Sequence, residues 1–140
     1  MDKVIVAYWS QTGNTAAMAA AIGEGITEAG KEAVVTDISS VSMDDLQAAS
    51  AFALGCPAMG DEVLEDTEFE PMFDGCKDAL KGKNIALFGS YGWGDGEWMR
   101  NWEDSCKEAG ANLVCESVIC QEEPDDEATE ACKALGAALV

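Results

Sequence analysis

The chain has 140 residues, enough for one domain whose core needs neither disulfides nor metal. Hydrophobic residues make up 48%, which excludes a disordered chain, and 27 acidic against 8 basic residues leave a net charge of −19, which excludes nucleic acid and anionic membrane as partners. There is no histidine, and none of the six cysteines (Cys56, Cys76, Cys106, Cys115, Cys120, Cys132) stands in a C-x-x-C pair, so zinc-ribbon and ferredoxin-type cluster patterns are missing.

Met1-Asp2-Lys3 runs straight into an apolar stretch with no signal-peptide pattern and no spanning segment, so a cytoplasmic location is expected. Val4 to Trp9 reads as a buried strand. Ala16 to Ala29 reads as a helix with Met18, Ile22, Ile26 and Ala29 on one face, closed by Gly30. Ala33 to Ile38 is the second strand, and a short helix over Asp44 to Ala48 follows, with Ser42 as its cap. Ala51 to Gly55 is the third strand. Phe69 to Ala79 reads as a helix entered through Pro71. Asn84 to Ser90 is a strand, and Glu97 to Ala109 a helix closed by Gly110. Leu113 to Cys120 holds the last strand, with an interruption at Glu116-Ser117. Asp125 caps the final helix, whose apolar face is Ala128, Ala131, Cys132, Leu135 and Leu139. The cysteines, mostly flanked by apolar residues, are expected as reduced thiols.

Five strands alternating with five helices predict an α/β fold, a doubly wound parallel sheet with helices on both faces, in a single domain over residues 1–140. Ligands of such sheets lie beyond the carboxyl ends of the strands, where strand order reverses. Three loops at those ends are unusual: 10–15, 56–62 and 90–96.

The first loop, Ser10-Gln11-Thr12-Gly13-Asn14-Thr15, sets hydroxyls, an amide and a glycine before a helix N-terminus. Backbone N–H groups and the helix dipole make an anion site there. It contains no Lys or Arg, so it is not a triphosphate loop, and it lacks the G-x-G-x-x-G dinucleotide pattern. One terminal phosphate bound by neutral donors fits best; an ordinary Ser/Thr helix cap is the plainer alternative. In the third loop Gly92, Gly94 and Gly96 alternate around Trp93. A ring held up by glycines suits a stacking platform better than a core, although a Trp packed on a helix edge would read the same way. Trp98 and Trp102, one turn apart, read as packing residues.

Together, Tyr8-Trp9-Ser10-Gln11-Thr12-Gly13-Asn14-Thr15, Gly55-Cys56-Pro57-Ala58-Met59-Gly60-Asp61-Glu62 and Gly89-Ser90-Tyr91-Gly92-Trp93-Gly94-Asp95-Gly96-Glu97-Trp98 closely resemble the short-chain flavodoxins of anaerobic bacteria, in order and spacing across the whole chain. The resemblance implies a flavodoxin-like five-stranded sheet of order 2-1-3-4-5 and flavin mononucleotide (FMN) as a non-covalent cofactor. It implies a low-potential one-electron carrier, not an enzyme, that shuttles between semiquinone and hydroquinone and substitutes for ferredoxin-type carriers. Ser10, Gln11, Thr12, Gly13, Asn14 and Thr15 would hold the phosphate. Trp93 would stack on one flavin face and Met59 cover the other. Backbone groups of Gly92 and Trp93, in the loop with Tyr91 and Gly94, would reach the pyrimidine oxygen O2, and Glu62 would accept from N3–H. Pro57, Ala58 and Ser90 would lie along the ribityl or ring edge. Met59-Gly60-Asp61-Glu62 would be a turn whose Gly60–Asp61 peptide flips its carbonyl toward N5 on reduction; glycine permits the positive φ of one turn state. Gln11 stands where many relatives have a small residue, and Pro57 has no backbone donor.

The second electron would make the ring anionic beside Asp61, Glu62, Glu65 and Asp66. One carboxylate at about 10 Å, with an effective dielectric of about 20, opposes that electron by roughly 1.7 kcal/mol, or about 70 mV before screening. The same acids read equally as a solvated helix entry. Redox proteins with basic docking surfaces are the expected partners of a monomer, although the charge could serve solubility alone. A receiver module is excluded because strand one ends in Tyr8-Trp9-Ser10 and strand three in Gly55-Cys56-Pro57, without the acids such a module needs. An FMN quinone reductase and a ribonucleotide-reductase-activating flavoprotein are the rival readings; the Trp93 platform and the short chain favour the carrier.

Overall fold

In the computed structural model, which describes residues 3–10, 13–41, 43–58, 68–92 and 96–140, the apolar runs form a parallel sheet flanked by helices. The strands are β1 (Lys3–Tyr8), β2 (Glu32–Asp37), β3 (Ala51–Gly55), β4 (Asn84–Tyr91), β5 (Asn112–Leu113) and β6 (Val118–Gln121). The helices are α1 (Asn14–Glu28), α2 (Met43–Ala48), α3 (Phe69–Leu80), α4 (Glu97–Glu108) and α5 (Asp126–Ala138). Strand order is β2-β1-β3-β4-β5, as the resemblance implies, with β6 also paired to β4.

Most element boundaries shift by one or two residues from the sequence reading. The last strand is interrupted around Glu116-Ser117, as expected: β5 pairs with Asn84 and Ile85 at the start of β4, and β6 with Phe88 to Tyr91 at its end. Between them Ser117 donates to the Glu103 carboxylate at 2.7 Å, which draws the chain toward α4 and out of the ladder. Ile38 leaves β2 because the Asp37 carboxylate accepts from the Ser39 N–H at 2.9 Å and winds Ile38–Ser40 into a 3-10 turn. Trp9 lies past the end of β1, although its N–H still reaches the Gly55 carbonyl at 3.0 Å. The expected cap of α5 is present, Asp125 accepting from the Ala128 N–H at 2.8 Å. Ser42, the expected cap of α2, lies outside the described residues.

Alternation along the strands divides the core. Ile5, Ala7, Phe52, Leu54, Ile85 and Leu87 face one layer, covered by Leu46 of α2, Phe69 and Phe73 of α3, and Trp98 and Trp102 of α4. Val4, Val6, Ala51, Ala53, Ala86 and Phe88 face the other, covered by Met18, Ile22 and Ile26 of α1 and by Cys132 and Leu135 of α5. Helices α1 and α5 touch through glycines. A Cβ on Gly25 would run into the Lys133 carbonyl, and one on Gly136 into the Ile22 carbonyl, so each helix backbone lies directly against the other.

Basic residues gather at one pole. Lys3 and Lys31 stand at the starts of β1 and β2, Lys81 and Lys83 before β4, and Lys77 and Lys107 in the last turns of α3 and α4. All six lie at the amino ends of the strands, opposite the loops after β1, β3 and β4. Among the described residues no helix is long and apolar enough to cross a membrane.

Candidate functional site

The carboxyl ends of β1, β3 and β4 are adjacent: Tyr8 pairs with Gly55, and Gly55 with Phe88. The order reverses beside β1, so the three unusual loops leave the sheet side by side. Beyond the ladder the Cys56 N–H donates to the Phe88 carbonyl at 3.2 Å, and the Ala58 N–H to the Ser90 carbonyl at 3.0 Å. Those bonds hold Cys56, Pro57 and Ala58 against the end of β4. Gly89 makes the approach possible, since a Cβ there would strike the Cys56 carbonyl. The same carbonyl accepts from the Trp98 indole N–H at 3.1 Å, which ties the second loop to α4.

At the first loop Gly13 caps α1 with φ of +94° and provides no side chain to its first-turn N–H groups. The Ser10 hydroxyl oxygen accepts from the Gly13 N–H at 3.1 Å and, at the longer distance of 3.4 Å, from the Ala16 N–H. Ser10 therefore shapes the loop as an acceptor, and its own proton is given to none of the described residues. Thr15, on the first turn of α1, is buried, and its hydroxyl lies 3.3 Å from that of Ser90 on β4. The loop offers only neutral donors at a positive helix end, which matches a phosphate monoester.

The third loop is supported from behind. The Glu122 N–H donates to the Tyr91 carbonyl at 2.7 Å, and the Gln121 side-chain amide to the Gly92 carbonyl at 3.3 Å. Tyr91 packs on Trp98 with ring centroids 5.6 Å apart. A Cβ on Gly92 would meet none of the described residues within 4 Å, so among them this backbone borders open space. These features fit a cofactor with a terminal phosphate and a flat ring.

Of the residues expected at the site, the structure brings Ser10, Gly13, Asn14, Thr15, Pro57, Ala58, Ser90, Tyr91 and Gly92 to one edge of the sheet. Gln11, Thr12, Met59, Gly60, Asp61, Glu62, Trp93 and Gly94 lie outside the described residues. Trp98 and Trp102 are buried, as expected of packing residues. The tie from Trp98 to Cys56 and the Thr15–Ser90 pair carried no sequence signal, because each joins residues remote in the chain. The described cysteines, away from the loops apart from Cys56, are all thiols. Burial, helped by Glu116, raises the Cys115 thiol. Burial, helped by Asp125, pushes Cys120 up to about 11, and burial with Cys120 alongside pushes Cys132 up to about 12. None of these three is a ready nucleophile at neutral pH.

A family model described as Flavodoxin matches residues 6–136. The chain is 47% identical over 131 residues to a flavodoxin of Clostridium beijerinckii, covering 94% of both chains. It is 43% identical over 135 residues to a flavodoxin of Megasphaera elsdenii, covering 96% of both. The solution structure of two-electron reduced Megasphaera elsdenii flavodoxin matches with a TM-score of 0.90 at 44% identity, covering 97% of each chain.

Proposed function

Since the chain belongs to the flavodoxin family, whose members carry electrons on bound FMN, we propose that this domain holds one FMN across the three loops and passes single electrons between larger redox proteins at low potential. The observation that carries the site assignment is the junction of a cation-free helix N-terminus after β1 with the glycine-bordered open edge at Gly92. FMN supplies two successive one-electron steps; the protein supplies position and field. Ser10 to Thr15 hold the phosphate, with Ser10 donating from the hydroxyl that already accepts from Gly13. By the resemblance, Trp93 and Met59 would sandwich the ring, Glu62 would accept from N3–H, and the Gly60–Asp61 peptide would turn its carbonyl toward N5 on reduction. Pro57 and Ala58 would lie along the ribityl chain or ring edge.

The charge supports a basic partner. Six of the eight basic residues lie at the far pole, with Arg100 on the first turn of α4, while Asp37, Glu68, Glu97, Glu122, Asp125 and Asp126 stand at strand and helix ends on the side of the cofactor loops. A monomer acting in the cytoplasm, in place of a ferredoxin-type carrier, completes the reading.

Titrating the apoprotein with flavins tests it. One FMN per chain should bind, with riboflavin and FAD much weaker and flavin fluorescence quenched. Trp93→Ala should weaken FMN by about 1–3 kcal/mol, as other aromatic stacks do. Riboflavin binding as tight as FMN would remove the phosphate role of residues 10–15.

A further inference from the structure

Thr15 and Ser90 are the two buried polar side chains among the described residues, 1% and 4% exposed. They are 75 positions apart in sequence, and their hydroxyls meet at 3.3 Å. Two hydroxyls carry two protons, and one bond between them uses one. The other has no acceptor among the described residues. A buried hydroxyl proton without an acceptor is costly, so this pair is one acceptor short. Thr15 stands on the first turn of α1, where backbone N–H groups and the helix dipole favour an anion. A ligand oxyanion there would be that acceptor.

We propose that Ser90 is a positioning residue that acts through Thr15 to select a flavin ending in phosphate over one ending in a hydroxyl. The inference rests on the reading that the phosphate lies on residues 10–15. A phosphate oxygen can only accept from Thr15, so the Thr15 oxygen must in turn accept from Ser90. The two bonds run in one direction, Ser90 to Thr15 to oxyanion, and each polarises the next. A terminal hydroxyl both donates and accepts, so it sets no direction and gains no charge-assisted bond. Discrimination at the first loop therefore depends on a side chain of β4.

The test is a set of dissociation constants for FMN and riboflavin on the full-length apoprotein, for wild type, Ser90→Ala, Thr15→Val, Thr15→Ser and the Ser90→Ala/Thr15→Val double variant. Ser90→Ala should lower the riboflavin-to-FMN ratio of constants by about three- to tenfold, the loss of one polarised hydrogen bond. Thr15→Ser, which keeps the hydroxyl, should keep the wild-type ratio. In the Thr15→Val background, Ser90→Ala should leave the ratio unchanged. Melting without ligand checks that each variant is folded. If Ser90→Ala does not fold, Ser90→Cys, a weaker donor, should give an intermediate ratio. Equal weakening of both flavins by Ser90→Ala, or the same change of ratio with and without Thr15, would overturn the proposal. A wild-type ratio near one would instead overturn the phosphate reading beneath it.

Discussion

Trp98 and Trp102 sit one turn apart on α4, equally buried and differently bonded. The Trp98 indole N–H holds the Cys56 carbonyl, while that of Trp102, packed edge-on against Phe69 and Phe73, has no hydrogen-bond partner among the described residues. Trp98→Phe should therefore cost about 1 kcal/mol more stability than Trp102→Phe, the net worth of one hydrogen bond. FMN affinity should fall only in the Trp98 variant, because only that ring anchors a cofactor loop. Equal losses in chemical denaturation would show that the indole bond does not matter. The thiols give a pH prediction. Cys120 and Cys132 are raised to about 11 and about 12 from the ordinary 9.0, so the unfolded chain gives up their protons first. Their contribution is complete below about pH 9 and is lost as pH rises toward 11 to 12. Denaturation midpoints between pH 8 and 11 should fall less steeply in a Cys120→Ala/Cys132→Ala variant, even from a lower starting stability.

At the scale of elements, the contact of α1 with α5 sets two tendencies against each other. Alanine is the better helix former by about 1 kcal/mol. Yet a methyl on Gly25 or Gly136 would collide with a backbone carbonyl of the other helix, which cannot rotate away. Gly136→Ala should therefore destabilise by a net ~1–3 kcal/mol in thermal or urea melts. Gly23→Ala, which would crowd the half-exposed Val35 side chain and touch Ala33 at ordinary contact distance, should cost far less. Elements were largely legible in the sequence, because their signals are local. Val4 to Ala7 is a continuous apolar run, the 3.6-residue period marks α1, and Asp125 announces α5 by capping it. The division of the last strand was only half legible. Ser117 leaves the ladder for a carboxylate on α4, and no pattern around position 117 encodes that partner. Thr15 and Ser90 show the same limit at the site. Each loop announced itself by composition, whereas the bond between them exists only once β1 and β4 are fixed on either side of β3.

The whole molecule is a polarised object with a net charge of −19. Six of its seven lysines sit at the amino ends of the strands, and the loops proposed to hold the cofactor at the carboxyl ends. Electron delivery to a basic partner should accordingly slow as salt rises, since the Debye length contracts from about 30 Å at 0.01 M to about 10 Å at 0.1 M. Stopped-flow rates that do not change with salt would show that the field does not steer the encounter. The close pairing of α1 with α5 also bears on how the protein is made. The loop proposed to seat the phosphate leads into a helix that packs on the sheet with one side, while its other side stays uncovered until residues 126–138 lie against it. A nascent chain thus exposes that side of α1 until the last helix is made. Cofactor capture becomes a late event, gated by release of the last helix, and a chain stopped before α5 should emerge colourless.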